Sequence, residues 1–102
     1  MLNDILARRK DIELICRPLH VRRLDVFGSA AGADFDPETS DIDFVVEFED
    51  LPPAQYAEAY FSLLQSLRSL FNHAVDLVTA PSLTNPYFRQ RVEQTKRLLY
   101  AA

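Results

Sequence analysis

Residues 28–43 read Gly28-Ser-Ala-Ala-Gly-Ala-Asp-Phe-Asp-Pro-Glu-Thr-Ser-Asp-Ile-Asp43, and the chain continues at once as FVVEF, residues 44–48. The stretch holds both glycines of the chain and ends in two acids that open a strongly apolar run. A carboxylate taken out of water is costly unless it is paired, hydrogen-bonded or bound to a cation. Successive side chains of a strand point to opposite faces, so Asp41 and Asp43 share one face while Ile42 and Phe44 share the other. The apolar face has a core to meet, and the acidic face needs a ligand or water.

Working outward, VRRLDVFG reads as a strand over Val21–Phe27 closed by Gly28, and DIDFVVEF as a second strand. Before them, Leu2, Ile5, Leu6, Ile12, Ile15 and Cys16 recur at helical spacing, with Asn3 or Asp4 as cap and Pro18 as stop. After them, Pro53 suits the first turn of a helix whose apolar stripe is Tyr60, Leu63, Leu64, Leu67, Leu70 and Phe71. Asn72 fits a left-handed stop for that helix. Ala74–Val78 makes a third strand, and NPYFRQRVEQTKRLLY a closing helix capped by Asn85 with Pro86 at its first position. The expected architecture is α/β: a small mixed sheet of about three strands packed with helices. The order is α-β-α-β-α-β-α, the second helix being only a short turn from Ser29.

A chain of 102 residues matches one domain, taken as residues 1–102. Eleven basic against fifteen acidic residues give a net charge of −4, which argues against direct nucleic-acid binding. The single Cys16 forms no internal disulfide, which fits a reducing compartment. No apolar run is long enough for a bilayer and no signal-peptide core opens the chain, so the expectation is a cytoplasmic protein without a membrane partner.

Three features converge on chemistry. Gly28-Ser29 leaves a strand into a short turn that can aim N–H groups and a hydroxyl at an anion. Asp41 and Asp43 offer hard oxygen ligands on one face, a set that suits Mg²⁺ completed by substrate phosphates. Asp76, inside the apolar run AVDLV, joins them if the third strand lies beside the second. Taken singly, each has a plainer reading as a turn, a solvated pair or a strand-end acid. Together, GS followed by eleven residues, DID on a strand and a later VDLV resemble the signature of the polymerase β-like nucleotidyltransferase superfamily. The size, the FDPETSDIDFVVEF strand and the closing NPYFRQRVEQTKRLLYAA resemble its minimal nucleotidyltransferases, over essentially the whole chain.

That resemblance implies an Mg²⁺-dependent transfer of a nucleoside monophosphate, AMP from ATP, to a hydroxyl of a partner protein. It assigns Gly28 and Ser29 to the triphosphate, Asp41, Asp43 and Asp76 to metal, and Asp76 also to activating the hydroxyl. It further implies an antitoxin acting on a HEPN-domain ribonuclease toxin. A non-catalytic antitoxin, or nucleotide-binding module, that works by binding alone is the alternative. Many relatives carry an arginine just after the serine where this chain reads GSAAGAD, and Arg22 or Arg23 are the candidates to replace it in space. Asp25 and Glu47 lie at positions that could join the acidic face or simply meet solvent. His20 and His73 receive no role, Cys16 is read as core, and Tyr87, Phe88 and Tyr100 as core or dimer contacts. The basic clusters Arg8–Lys10, Arg22–Arg23, Arg89/Arg91 and Lys96–Arg97 are read as solvated faces, with a docking surface for an acidic partner as the sharper alternative, above all on the last helix. A homodimer through helix faces stays open, since no motif specifies one.

Overall fold

In the computed structural model, which describes residues 1–102, the two apolar strands lie side by side in opposite directions. Strand β1 (Val21–Phe27) pairs antiparallel with β2 (Ile42–Phe48), Leu24 facing Val46 and Phe27 facing Asp43. Strand β3 (Val75–Thr79) runs parallel to β2 on its other side. A parallel neighbour cannot be reached by a tight turn, and the 19-residue helix α3 (Pro53–Phe71) makes the crossover. Pro53 stands at its start, and Asn72 ends it in the left-handed conformation at φ 48°. An asparagine tolerates that conformation better than most side chains.

Two expectations need correction. The closing helix α4 (Pro86–Thr95) stops short, and Arg97–Ala101 forms a fourth strand, β4, antiparallel to the free edge of β1. The sheet is therefore four-stranded, in the order β3-β2-β1-β4. Local propensity allows KRLLY to continue the helix, but the open hydrogen-bonding edge of β1 and burial of Leu99 in the main core outweigh it. The amino-terminal helix is also two helices, α1 (Leu2–Ala7) and α2 (Arg9–Cys16), parted at Arg8. Met1, not Asn3 or Asp4, occupies the cap position, and Asp4 instead lies in the first turn, 3.9 Å from the terminal amine.

The strict alternation of β2 sorts the sheet into two faces. Ile42, Phe44 and Val46 join Leu24, Val26, Val75 and Leu77 in the main core, which Ile5, Ile12, Cys16, Leu63 and Leu67 of α1, α2 and α3 cover. Phe44 is wholly buried, and a side chain of that size contributes about 1.5–3 kcal/mol by leaving water. Cys16 is also core, as expected, and burial pushes its thiol up to about 12. The other face carries a smaller cluster of Phe27, Val45, Leu83 and Val92, closed by α4. That cluster covers only part of the face, and the acidic residues lie beyond it. No helix is long and apolar enough to cross a membrane.

Candidate functional site

The acidic face is assembled by strand register. Asp43 and Asp76 are direct neighbours across the parallel β2–β3 pair, where adjacent strands lie about 4.8 Å apart. Asp41 immediately precedes β2, two residues from Asp43 and therefore on the same side by strand alternation. The Ile42 N–H donates to the Ala74 carbonyl at 3.0 Å, which holds the start of β2 against the start of β3. Asp41 and Asp76 are exposed, and Asp43 is half-buried. Burial, and then the nearby charges of Asp76 and Asp41, push the Asp43 carboxyl up to about 6. The three acids thus share one electrostatic neighbourhood, as expected from their places in the sequence.

The loop that delivers Asp41 is built from its own polar groups. Asp36 Oδ1 accepts from the Glu38 N–H at 2.9 Å, the Asp36 carbonyl from the Ser40 N–H at 2.8 Å, and Ser40 Oγ from the Asp36 N–H at 3.1 Å. His73, given no role by the sequence, sets a ring nitrogen 3.1 Å from the Pro37 carbonyl and its ring 5.3 Å from that of Phe35. It ties this loop to the start of β3, beside Asp76.

Gly28 faces Asp43. At φ +69° it adopts a conformation that L side chains rarely take, and a Cβ there would lie 2.8 Å from Asp43 Oδ2. Only a residue without a side chain lets the turn and the carboxylate come this close. Residues Gly28–Ala31 form the short helical turn expected after β1. A 3₁₀ turn leaves its first amides without internal partners. The Gly28 N–H is itself engaged, donating to Thr95 Oγ1 at 3.1 Å.

A cavity of about 260 Å³ opens at this turn, lined by Phe27, Gly28, Ser29, Asp43, Phe88, Arg91 and Thr95. Roomier depressions of about 510 and 610 Å³ lie between α2 and β4 and between α2 and α3, but neither contains Asp43 or a strand-to-helix turn. The chemistry of the lining marks the site better than its size. The sequence reads Phe88 as a core or dimer contact and Arg91 as solvated surface, and gives Thr95 no role. Their signal is the spacing i, i+3, i+7 after the Asn85–Pro86 start, which puts them on one helical face. Asn85 caps that helix as expected, accepting from the N–H groups of Tyr87 and Phe88 at 2.9 and 3.2 Å. Phe88 meets Phe27 edge-on, ring centroids 5.9 Å apart. Tyr87 is exposed and Tyr100 packs on the main core, so the three aromatic residues do not form one surface.

Other expected members are occupied elsewhere. Asp25 points to the acidic side of the sheet but is only 3% exposed, and Arg23 holds it through two hydrogen bonds, Nε–Oδ2 at 2.8 Å and Nη2–Oδ1 at 3.1 Å. Asp25 is therefore neither solvent-exposed nor available to a cation. Glu47 accepts from Arg22 at 3.2 Å. Both arginines considered as replacements for the missing loop cation are thus committed to acids.

The donor set can be tested against a divalent cation. No group of three or more His, Cys, Asp or Glu side chains stands close enough to hold a metal ion alone. Mg²⁺, however, takes one or two carboxylates and completes its shell with water and substrate phosphate. Asp43 crowded by Asp41 and Asp76, beside a turn pared down to glycine, fits a cation that arrives with a phosphate.

A family profile described as "Nucleotidyltransferase domain" matches residues 8–99 of the chain. A curated protein of Methanocaldococcus jannaschii, named "Putative protein adenylyltransferase", is 33% identical over 93 residues, 91% of this chain and 89% of that protein. A solved structure described as a "putative minimal nucleotidyltransferase" superposes with a TM-score of 0.75 at 29% identity, covering 94% of this chain and 93% of that one. A complex of a tri-AMPylated Shewanella oneidensis HEPN toxin with an MNT antitoxin gives a TM-score of 0.64 at 24% identity, over 100% of this chain and 74% of that one. At that identity the last likeness speaks for the fold.

Proposed function

The chain belongs to the nucleotidyltransferase domain family, and from that premise we propose that it transfers AMP from ATP to a hydroxyl of a partner protein. All 102 residues serve as one such domain, acting in the cytoplasm. The partner is a HEPN-type toxin and the transfer silences it. This reading is supported by the relative named as a protein adenylyltransferase and by the neighbour whose HEPN toxin carries AMP groups. The observation that carries it is the register of the sheet, which puts Asp43 beside Asp76 and against the Gly28–Ser29 turn.

In this mechanism the amides following Gly28 and the Ser29 hydroxyl bind the triphosphate. Asp41, Asp43 and Asp76 would hold Mg²⁺, which neutralises phosphate charge when bound. Asp76, exposed at the edge strand, receives the proton of the attacking hydroxyl. The hydroxyl oxygen forms a bond to the α-phosphorus, the α–β bridging bond breaks, and pyrophosphate leaves with its electron pair. The acceptor hydroxyl comes from the partner.

A second reading, neutralisation by binding alone, draws support from GSAAGAD, which lacks a cation, and from the commitment of Arg22 and Arg23 to Glu47 and Asp25. Co-expression of the toxin partner with the chain or with its Asp41→Ala/Asp43→Ala variant separates the two. Intact-mass measurement should show whole AMP additions to the partner only with the unaltered chain. A partner that co-purifies unmodified with both versions would overturn the transferase reading and leave the binding one.

A further inference from the structure

Most arginines near the sheet are engaged. Arg23 grips Asp25, Arg22 meets Glu47, and Arg89 donates twice to the Leu83 carbonyl, at 2.9 and 2.6 Å. At the two ends of α2, Arg8 and Arg17 pair with Asp11 and Glu13, and Arg9 donates to the Leu98 carbonyl at 2.7 Å. Arg91 and Arg97 have no acid or carbonyl partner for their side chains, and of the two only Arg91 lines the cavity that contains Gly28, Ser29 and Asp43. A guanidinium is always charged and presents a planar fork suited to phosphate oxygens.

The backbone around Arg91 is fixed to the turn. Thr95 Oγ1 accepts from the Gly28 N–H and donates to the Arg91 carbonyl at 2.8 Å. One turn earlier, Phe88 rests edge-on against Phe27. Two contacts on the same helical face therefore hold Arg91 beside the strand-to-helix turn. The only other cavity-lining charge is Asp43, and an anion entering here has the guanidinium as its one cationic contact.

We propose that Arg91 supplies from α4 the cation missing after Ser29, and that it binds the β- and γ-phosphates of the nucleoside triphosphate. The proposal rests on the triphosphate reading of the Gly28–Ser29 turn given above. Sequence distance hides the substitution, because the cation lies more than sixty residues from the turn it serves. The sheet and its second layer bring the two together. Arg91 so placed discriminates between nucleotides by their phosphate tail: the triphosphate reaches it, and the monophosphate does not.

Isothermal titration of ATP and of AMP in the presence of Mg²⁺, with the unaltered chain, Arg91→Ala and Arg91→Lys, tests this. Arg91 is exposed, so neither substitution disturbs the core, and thermal melting checks that both variants fold. Loss of one charge-assisted phosphate contact should weaken ATP roughly tenfold to a hundredfold in Arg91→Ala. AMP affinity should stay unchanged, and Arg91→Lys should recover part of the ATP affinity through charge alone. Undiminished ATP binding by Arg91→Ala, or equal losses for ATP and AMP, would overturn the proposal while leaving the turn as a nucleotide site. Failure of the unaltered chain to bind either nucleotide would overturn the site reading and the proposal together.

Discussion

Replacing Gly28 with alanine separates two effects that meet at one atom. The residue sits at φ +69°, and a non-glycine residue held in the left-handed region costs about 1–2 kcal/mol. The added methyl also meets Asp43 Oδ2 at 2.8 Å, well inside contact distance. Because that oxygen is the far end of a side chain, Asp43 yields by rotating off its preferred conformer, for roughly 0.5–1.5 kcal/mol. The sum is about 1.5–3.5 kcal/mol, which in a chain of this length lowers the melting temperature by on the order of 6–28 °C. A stability of about 5–15 kcal/mol leaves the variant folded at room temperature. Far-UV circular dichroism melts give the first reading, and ATP titration at 25 °C gives the second, where affinity should be lost because the carboxylate has moved. Gly32→Ala is the matched control: nothing lies within 4 Å of its Cβ, and its melt should shift by no more than about 0.5 kcal/mol. A Gly28→Ala protein that melts with the parent would refute the strain argument. One that melts early yet binds ATP normally would show that the closeness of Asp43 to the turn is not what binding needs.

Asp43 itself should make stability depend on pH in an unusual direction. Its folded carboxyl is raised from 3.8 to about 6, so between those values the folded chain holds more protons than the unfolded one. Stability therefore falls as pH rises through that window, and the deficit persists above it. Asp43→Asn should raise stability at pH 7, by about 1 kcal/mol or less given solvent screening of a half-exposed group, and leave it nearly unchanged at pH 4. Equal shifts at both pH values would count against the crowding of the three acids. Arg23→Ala should strip the partner from nearly buried Asp25 and lower stability by about 2–4 kcal/mol in urea titrations. The paired change Arg23→Leu/Asp25→Leu should recover most of that loss, and a single-variant loss below about 0.5 kcal/mol would remove the pair from the account of the fold.

Much of this was legible because the informative residues obey local rules. The alternation of Asp41-Ile42-Asp43-Phe44 foretold both faces of β2, and Asn72, Asn85 and Pro86 marked helix ends by their own backbone chemistry. A glycine closing a strand signals a close approach of the backbone, but only the pairing of Phe27 with Asp43 shows that the group approached is that carboxylate. What the sequence hid depends on distant chain. Strand β4 exists because β1 offers a free edge, and nothing in KRLLY announces that. Asp25 looks available in the sequence, yet its partner Arg23 lies two residues away in the same strand, at the spacing that puts both on one face. Arg91 and Thr95 looked like ordinary helix surface until α4 was laid across the second face of the sheet.

The two-faced register of β2 also bears on how the chain finds its fold. A slip of one residue against β1 or β3 would turn Asp43 and Glu47 into the main core and push Ile42, Phe44 and Val46 toward the open groove. Such a misaligned pairing would bury two unpaired carboxylates where every native neighbour is hydrocarbon. Parallel pairing through a long crossover is slow to form, which gives wrong alignments time to be sampled. The acids therefore act as proofreaders of strand alignment, and neutralising them should leave a chain that is more stable once folded but less faithful in getting there.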